Sequence, residues 1–282
     1  MIFEKLNENI YLFIDESFYD TIAGAIVLPN KLIMIDSGMH VPKMQQFREW
    51  VEKDTGKKFE YLVLTHYHGD HLIGNQIFSD CKIIADEFIH EYMKGMKERW
   101  TLEEIEKAKE RSTDPTSLDG LVITLPNVKL NDYMEITDDN VKVIIKKIGG
   151  HTEDSTYVYC PNYKVLFAGD NLFAGQYPYG GADTCNPDIW MKTYKEFLSL
   201  DVEWFIPGHS RDWSNKAVKE RLDFIKDMKE QVLELHDKGK TEEEILNKID
   251  KIKFYYYDKD NQHDLNLKAS TLKRWYDVWI KK

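Results

Sequence analysis

The sequence predicts a mixed α/β fold, β-rich with inserted helices to about residue 212 and helical beyond it. Three observations carry this. Short apolar runs bounded by turn residues recur through the first part of the chain. Several of them end in glycine followed by histidine or aspartate. After His209 the pattern changes to long stretches with apolar residues at helical spacing. A chain of 282 residues, 42% hydrophobic, is long enough for one large α/β domain and an appendage.

The elements follow in order. Residues 9–14 and 21–28 read as strands, Pro29-Asn30 as a turn and 31–35 as a returning apolar strand. Asp36-Ser37-Gly38 is a tight loop. Residues 41–53 form a helix on the spacing of Met44, Phe47, Trp50 and Val51. The strand Tyr61-Leu62-Val63-Leu64 comes next, then a short helix over 72–78, a strand over 82–85 and a helix over 87–96. Thr101-Leu102-Glu103-Glu104 is a capping box that opens a charged helix running to about Arg111. Strands return at 121–125, 128–136, 141–148, 156–159 and 164–167. A helix over 188–200 and a strand over 202–206 complete this part. Trp190 and Tyr194, four residues apart on that helix, are expected in the core. Residues 214–238 form one amphipathic helix, Thr241-Glu242-Glu243-Glu244 opens another, and 271–280 form a last one. The expected division is 1–212 and 213–282.

Net charge is −11, which argues against nucleic acid as the main partner, because phosphate binding needs a clustered basic face. No stretch approaches the roughly 20 apolar residues of a membrane helix. The run Met1-Ile2-Phe3-Glu4-Lys5 lacks the basic and apolar regions of a leader. Cys81, Cys160 and Cys185 are few and widely spaced, as in reduced thiols, so a cytoplasmic location is expected.

The run Thr65-His66-Tyr67-His68-Gly69-Asp70-His71 places three histidines and an aspartate directly after an apolar strand. Imidazole and carboxylate suit zinc, manganese and iron. Four ligands in one run exceed what a single open catalytic ion takes, so the natural reading is two ions. Three further residues stand after apolar strands: His151 in Gly149-Gly150-His151-Thr152, Asp170 in Gly169-Asp170, and His209 in Pro207-Gly208-His209. A strand end holds a side chain rigidly, and glycine lets the backbone turn and approach closely. His40, His90, His236 and His263 lack such settings and read as ordinary surface or helix residues, His40 being the one expected nearest the site.

With these residues the chain resembles the metallo-β-lactamase superfamily over residues 10–212, its His-x-His-x-Asp-His signature intact and the later His, Asp and His in the family's order. The resemblance implies a four-layer αββα sandwich with the site at one edge, and a C-terminal helical extension packed on it. It implies one divalent ion on His66, His68 and His151, a second on Asp70, His71 and His209, and Asp170 bridging. Asp36 matches an early acidic motif and would brace the ligand loop. Zinc is the default, with iron or manganese accepting the same ligands. The implied chemistry is hydrolysis of an ester, thioester, lactone or amide by a hydroxide held between the ions, with Asp70 and Asp170 as catalytic residues.

No cysteine stands where cysteine-ligand β-lactamases need one, and His68 replaces the glutamate of the flavin-partnered di-iron reductases. Gly150 to Ser155 and Phe167 to Phe173 resemble the glyoxalase II-like branch. The next run, Ala174-Gly175-Gln176-Tyr177-Pro178-Tyr179-Gly180-Gly181, departs from its glutathione-thioester members and suggests a less anionic small-molecule substrate. Tyr67, Phe173, Tyr177 and Tyr179 are candidate substrate contacts, with simple loop packing as the alternative. A mononuclear iron oxygenase acting on persulfides and a metal-dependent nuclease are the rival activities. The run Phe254-Tyr255-Tyr256-Tyr257 is expected to pack on the sandwich, a pocket entrance and a subunit interface being the alternatives. An assembly of identical chains is left open.

Overall fold

The computed structural model describes residues 1–112, 114–175, 177–248 and 262–281. The run 254–257 and the side chain of His263 lie outside the described residues. Strands β1 (Ile2–Asn7), β2 (Ile10–Asp15), β3 (Thr21–Val27) and β4 (Leu32–Ile35) lead to helix α1 (Val41–Thr55) and strand β5 (Phe59–Val63). A short helix α2 (Gly69–Leu72) and a 3-10 turn (Ile73–Phe78) precede β6 (Lys82–Asp86), α3 (Glu87–Arg99) and α4 (Leu102–Arg111). The chain then forms β7 (Val128–Leu130), β8 (Tyr133–Asp138), β9 (Val141–Lys147), β10 (Thr156–Cys160) and β11 (Val165–Phe173). Helix α5 (Pro187–Phe197) and β12 (Trp204–His209) are followed by helices α6 (Asn215–Asp237), α7 (Glu242–Lys248) and α8 (Gln262–Ile280).

Strand residues alternate between two cores, and this alternation produces the layers. On β2, Tyr11 and Phe13 pack under α1, while Ile10, Leu12 and Ile14 face a central core. On β10, Tyr157 and Tyr159 pack under the later helices, while Val158 and Cys160 join the same central core. Both faces of these strands are therefore apolar, as expected for buried sheets. The central core holds two sheet halves face to face, with α1, α3 and α4 outside one half and α5, α6 and α8 outside the other. The mixed fold with helices outside a large sheet is the predicted αββα class.

The strands run β7-β6-β5-β4-β3-β12-β11-β10-β9-β8 as one path, with β1 beside β2. The two halves meet where β3 pairs with β12, through the single register pair Thr21 and His209. The residues after 212 do not form a separate core: Val218, Ile225, Met228, Leu272 and Trp275 pack with Leu166, Trp190 and Phe205 in one cluster. Trp190 and Tyr194 are fully buried there, as expected.

Three expectations need correcting. Residues 121–125 form no strand: Leu121 and Ile123 point inward, but their backbone is tied by Asn75 and Gln76 side chains rather than by a neighbouring strand. The run 128–136 is two strands, β7 parallel to β6 and β8 antiparallel to β9, because the chain crosses between the sheet halves after Leu130. His40 is not a surface residue. It is buried, caps α1 by accepting from Lys43 N, and pairs through Nε2 with Asp114 at 3.2 Å.

Candidate metal centre

The site lies at the seam between the two sheet halves. The turn after β5 supplies His66 and His68, and helix α2 supplies Asp70 and His71. His151 follows β9, Asp170 sits within β11 and His209 ends β12. All seven predicted residues converge in two groups of candidate ligands: His66, His68, His151 and Asp170, and beside them Asp70, His71 and His209.

Four of the histidines are oriented by what their Nδ1 atoms reach. His66 Nδ1 donates to Thr65 Oγ1 at 3.0 Å, and His71 Nδ1 to Asp36 Oδ2 at 2.8 Å. His151 Nδ1 donates to the Tyr179 carbonyl at 2.8 Å, and His209 Nδ1 to the Tyr19 carbonyl at 3.0 Å. Each leaves Nε2 for the interior of the site, whereas His68 presents Nδ1. Asp36 sits behind both groups. Its oxygens also accept from Thr65 N and Thr65 Oγ1, each at 2.8 Å. It therefore braces His71 directly and His66 through Thr65, from a left-handed backbone conformation at φ 55°.

Asp170 stands between the groups. Its Oδ2 lies 3.4 Å from His66 Nε2 and 3.5 Å from His151 Nε2. Its Oδ1 lies 3.1 Å from His71 Nε2 and 3.5 Å from His209 Nε2. Asp70 Oδ2 lies 3.2 Å from His209 Nε2 and 3.4 Å from His71 Nε2.

This donor set fits bound cations. His66 and His151 spend their ring protons outward, so both Nε2 lone pairs turn toward His68 Nδ1, each at 3.0 Å. These three facing ring nitrogens, two of them on buried histidines, share at most one proton there, an arrangement that a cation at their centre satisfies. His71 Nε2 and Asp170 Oδ1 are also buried with no hydrogen-bond partner, and a buried polar atom without a partner is costly.

Electrostatics separates the groups. Burial, aided by neighbouring His66, pushes His68 down to about 3, and burial drives His151 well below its usual value. Both stay neutral, the form a metal needs. In the second group burial also opposes charge on the histidines, but the carboxylates outweigh it. Asp170, Asp70 and Asp36 hold His71 well above its usual value, and Asp170 and Asp70 raise His209 to about 10. Burial works against ionised Asp70 and Asp170, yet the facing histidines hold both well below the carboxylate range.

A cavity of about 620 Å³ opens over Asp70, Asp170 and His209. Its wall includes Phe173, Tyr177 and Tyr179, which the sequence singled out, and Phe18, Tyr19 and Leu267, which it did not. Tyr67 lies elsewhere: its ring packs on Phe88 at 5.2 Å and Tyr92 at 4.9 Å, behind His68. His40, His90 and His236 join neither of the two groups. The carbonyls of Tyr19 and Tyr179 were missed for a plain reason: every residue has a carbonyl, so its role leaves no mark in the sequence.

The profile of the Metallo-beta-lactamase superfamily matches residues 22–209, and the chain belongs to this superfamily. A metallo-beta-lactamase type 2 of Bacillus cereus is 23% identical over 241 residues, covering 79% of this chain and 81% of that one. A linear primary-alkylsulfatase of Pseudomonas sp. is 20% identical over 257 residues, covering 79% of this chain and 49% of that protein. Among solved structures, a metallo-beta-lactamase from Pontibacter korlensis superposes with a TM-score of 0.60 at 14% identity, over 80% of this chain and 99% of that one. The sec-alkylsulfatase Pisa1 from Pseudomonas sp. superposes with a TM-score of 0.68 at 16% identity, over 96% of this chain and 50% of that one. The chain thus spans about half the length of these alkylsulfatases. Among the described residues, no helix is long and apolar enough to cross a membrane.

Proposed function

We propose that the chain is a dinuclear metallohydrolase, glyoxalase II-like in its core, that cleaves an ester, thioester, lactone or amide of a small molecule. The observation that carries this is Asp170, whose two carboxylate oxygens face two different ligand groups. His66, His68 and His151 would hold one ion, Asp70, His71 and His209 the other, and Asp170 both. When bound, two divalent ions, zinc by default, supply a water that ionises near neutral pH and a Lewis acid for the scissile bond.

The chain's own residues do the rest. Asp36 and Thr65 fix the direction of two ligand rings. Asp70 faces the cavity, where its carboxylate can accept a hydrogen bond from the attacking water and orient it. Phe173, Tyr177 and Tyr179 offer an apolar wall that takes the hydrophobic part of a substrate and excludes bulk water. Burial raises the Tyr179 phenol, which therefore stays neutral and able to donate. We place the protein in the cytoplasm on its three buried, free cysteines, and expect no nucleic-acid partner.

A second reading has one observation behind it. The likeness to Pisa1 extends over 96% of this chain and so takes in helices beyond residue 212. Sulfate esters therefore belong in the substrate panel.

Elemental mass spectrometry on protein purified without added metal comes first, followed by a panel of lactones, thioesters, esters, amides and alkyl sulfates. About two ions per chain and turnover of a carbonyl substrate are expected. His66→Ala and Asp170→Ala should each abolish turnover and lower bound metal. Full activity with unchanged metal in either variant would sink the ligand assignment. About one iron per chain, with oxygen uptake on a persulfide, would replace the hydrolase reading by the oxygenase.

A further inference from the structure

We infer that Thr271, on the C-terminal helix α8, is a positioning residue for His151. The inference rests on the reading of His151 as a metal ligand. Thr271 is fully buried. Its hydroxyl accepts from Gly180 N at 2.8 Å and donates to the Pro178 carbonyl at 3.1 Å. These two contacts flank Tyr179, whose carbonyl accepts the His151 Nδ1 proton at 2.8 Å.

The geometry makes the link rigid. The Tyr179 carbonyl and the Gly180 N–H belong to one planar peptide unit. Thr271 holds one edge of that plane and His151 docks on the opposite edge. Fixing the plane fixes the direction of the carbonyl, and the carbonyl fixes the tautomer and rotation of the His151 ring. The same face of α8 reinforces the grip. Arg274 Nε donates to the Cys185 carbonyl at 2.9 Å. A Cβ on Gly180 would meet Trp275 Nε1 at 2.6 Å and Thr271 Cγ2 at 3.0 Å, so only glycine lets the helix come this close. One turn earlier on the helix, Leu267 lines the cavity. The last helix therefore acts on the metal site through one peptide plane, although it contributes no ligand of its own to either of the two groups.

The test is a competition titration of zinc from the holoenzyme with a chelator, resolving the two ions. Thr271→Val keeps the shape and removes the hydroxyl. It should weaken the ion held by His151 about tenfold and leave the other unchanged, and Thr271→Ser should restore wild-type affinity. Trp279→Phe removes the indole donor to Asp188 Oδ1 further along the same helix and should leave both affinities unchanged. If Thr271→Val does not fold, Gly180→Ala, which forces the loop off Trp275, should give the same selective loss. Wild-type affinity for both ions in Thr271→Val, or an equal loss in Trp279→Phe, overturns the inference. His151→Ala separates the two levels. If it retains both ions, the ligand reading itself fails. If it loses one ion while Thr271→Val loses none, only the role of Thr271 fails.

Discussion

Gly208 serves the site by having no side chain. A Cβ there would lie 1.9 Å from Asp170 Oδ1 and 2.8 Å from Asp170 N. Two adjacent strands converge at that point, and any larger residue must displace the carboxylate that faces both ligand groups. Gly208→Ala should therefore shift the β11 backbone and the carboxylate together and lower kcat on the order of a hundredfold, because a displacement near 1 Å at a reacting centre costs about that much. Circular dichroism beside steady-state kinetics checks it, and wild-type kcat would refute it. The ligand protons make a second prediction at this scale. In protein stripped of metal, His71 and His209 are raised above their usual value, His209 to about 10, while His68 is lowered to about 3 and His151 well below its usual value. At pH 7 the second group therefore carries protons that an ion must displace, and His68 and His151 carry none. Zinc binding to the second group should release protons and tighten as pH rises from 7 toward 10. Calorimetry in buffers of different ionisation enthalpy measures that release, and its absence would contradict the charge pattern. The ligands were legible in the sequence because metal chemistry demands particular side chains. Thr65 and the carbonyls of Tyr19 and Tyr179 were not, since their contribution depends on placement rather than on side-chain type.

Elements were legible where burial and pairing go together, and were misread where they part. Residues 121–125 alternate inward and outward as a strand does, but alternation reports which side is buried and not whether a neighbour completes a ladder. Here the side-chain amide of Asn75 donates to the Thr124 carbonyl at 3.2 Å in place of a ladder bond. Strand β1 was missed for the opposite reason. It pairs with β2 along one edge, and its half-buried residues show no clean alternation. The ends of β4, β5 and β9 were read to within a residue because each joins an apolar run to a polar turn, whereas β11 and β12 run on past the expected 167 and 206 to Phe173 and His209, so that Asp170 and His209 lie within strands rather than after them. Asp36 at the end of β4 shows what such an end does. It accepts three hydrogen bonds, two from Thr65 and one from His71, and so ties the strand to the ligand turn. Asp36→Asn replaces one acceptor oxygen by a donor and leaves at least one of these buried contacts unmade. A loss of about 1–3 kcal/mol is expected in denaturant unfolding, with metal affinity falling about 10- to 100-fold. Unchanged affinity would mean that Asp36 braces the fold and not the ligands.

At the scale of the whole molecule the ligands close the seam between the two halves of the sheet. His66, His68, Asp70 and His71 come from the half built on β5, and His151, Asp170 and His209 from the half built on β9, β11 and β12. Few backbone links join the halves at that seam: the register pair Thr21 and His209, Ser210 N to the Asp20 carbonyl at 3.3 Å, and Thr156 N to the Thr65 carbonyl at 2.9 Å. The layers themselves were expected from family resemblance rather than from periodicity, because strands apolar on both faces do not say which face meets which layer. The consequence is thermodynamic. An ion that binds only the folded chain stabilises it by RT ln(1 + [L]/Kd), about 2.7 kcal/mol at a free concentration a hundredfold above Kd. For a chain of this size that corresponds to a rise in Tm of roughly 5 °C for each ion. Metal removal by a chelator should lower Tm by at least this amount, and restoring zinc stepwise should raise it in two increments. Asp170→Asn weakens the carboxylate that faces both ligand groups, so in that variant both increments should shrink together. A Tm unchanged by chelation would mean that no ion binds the folded chain selectively. If the ions acted independently within one half each, Asp170→Asn would remove one increment and spare the other.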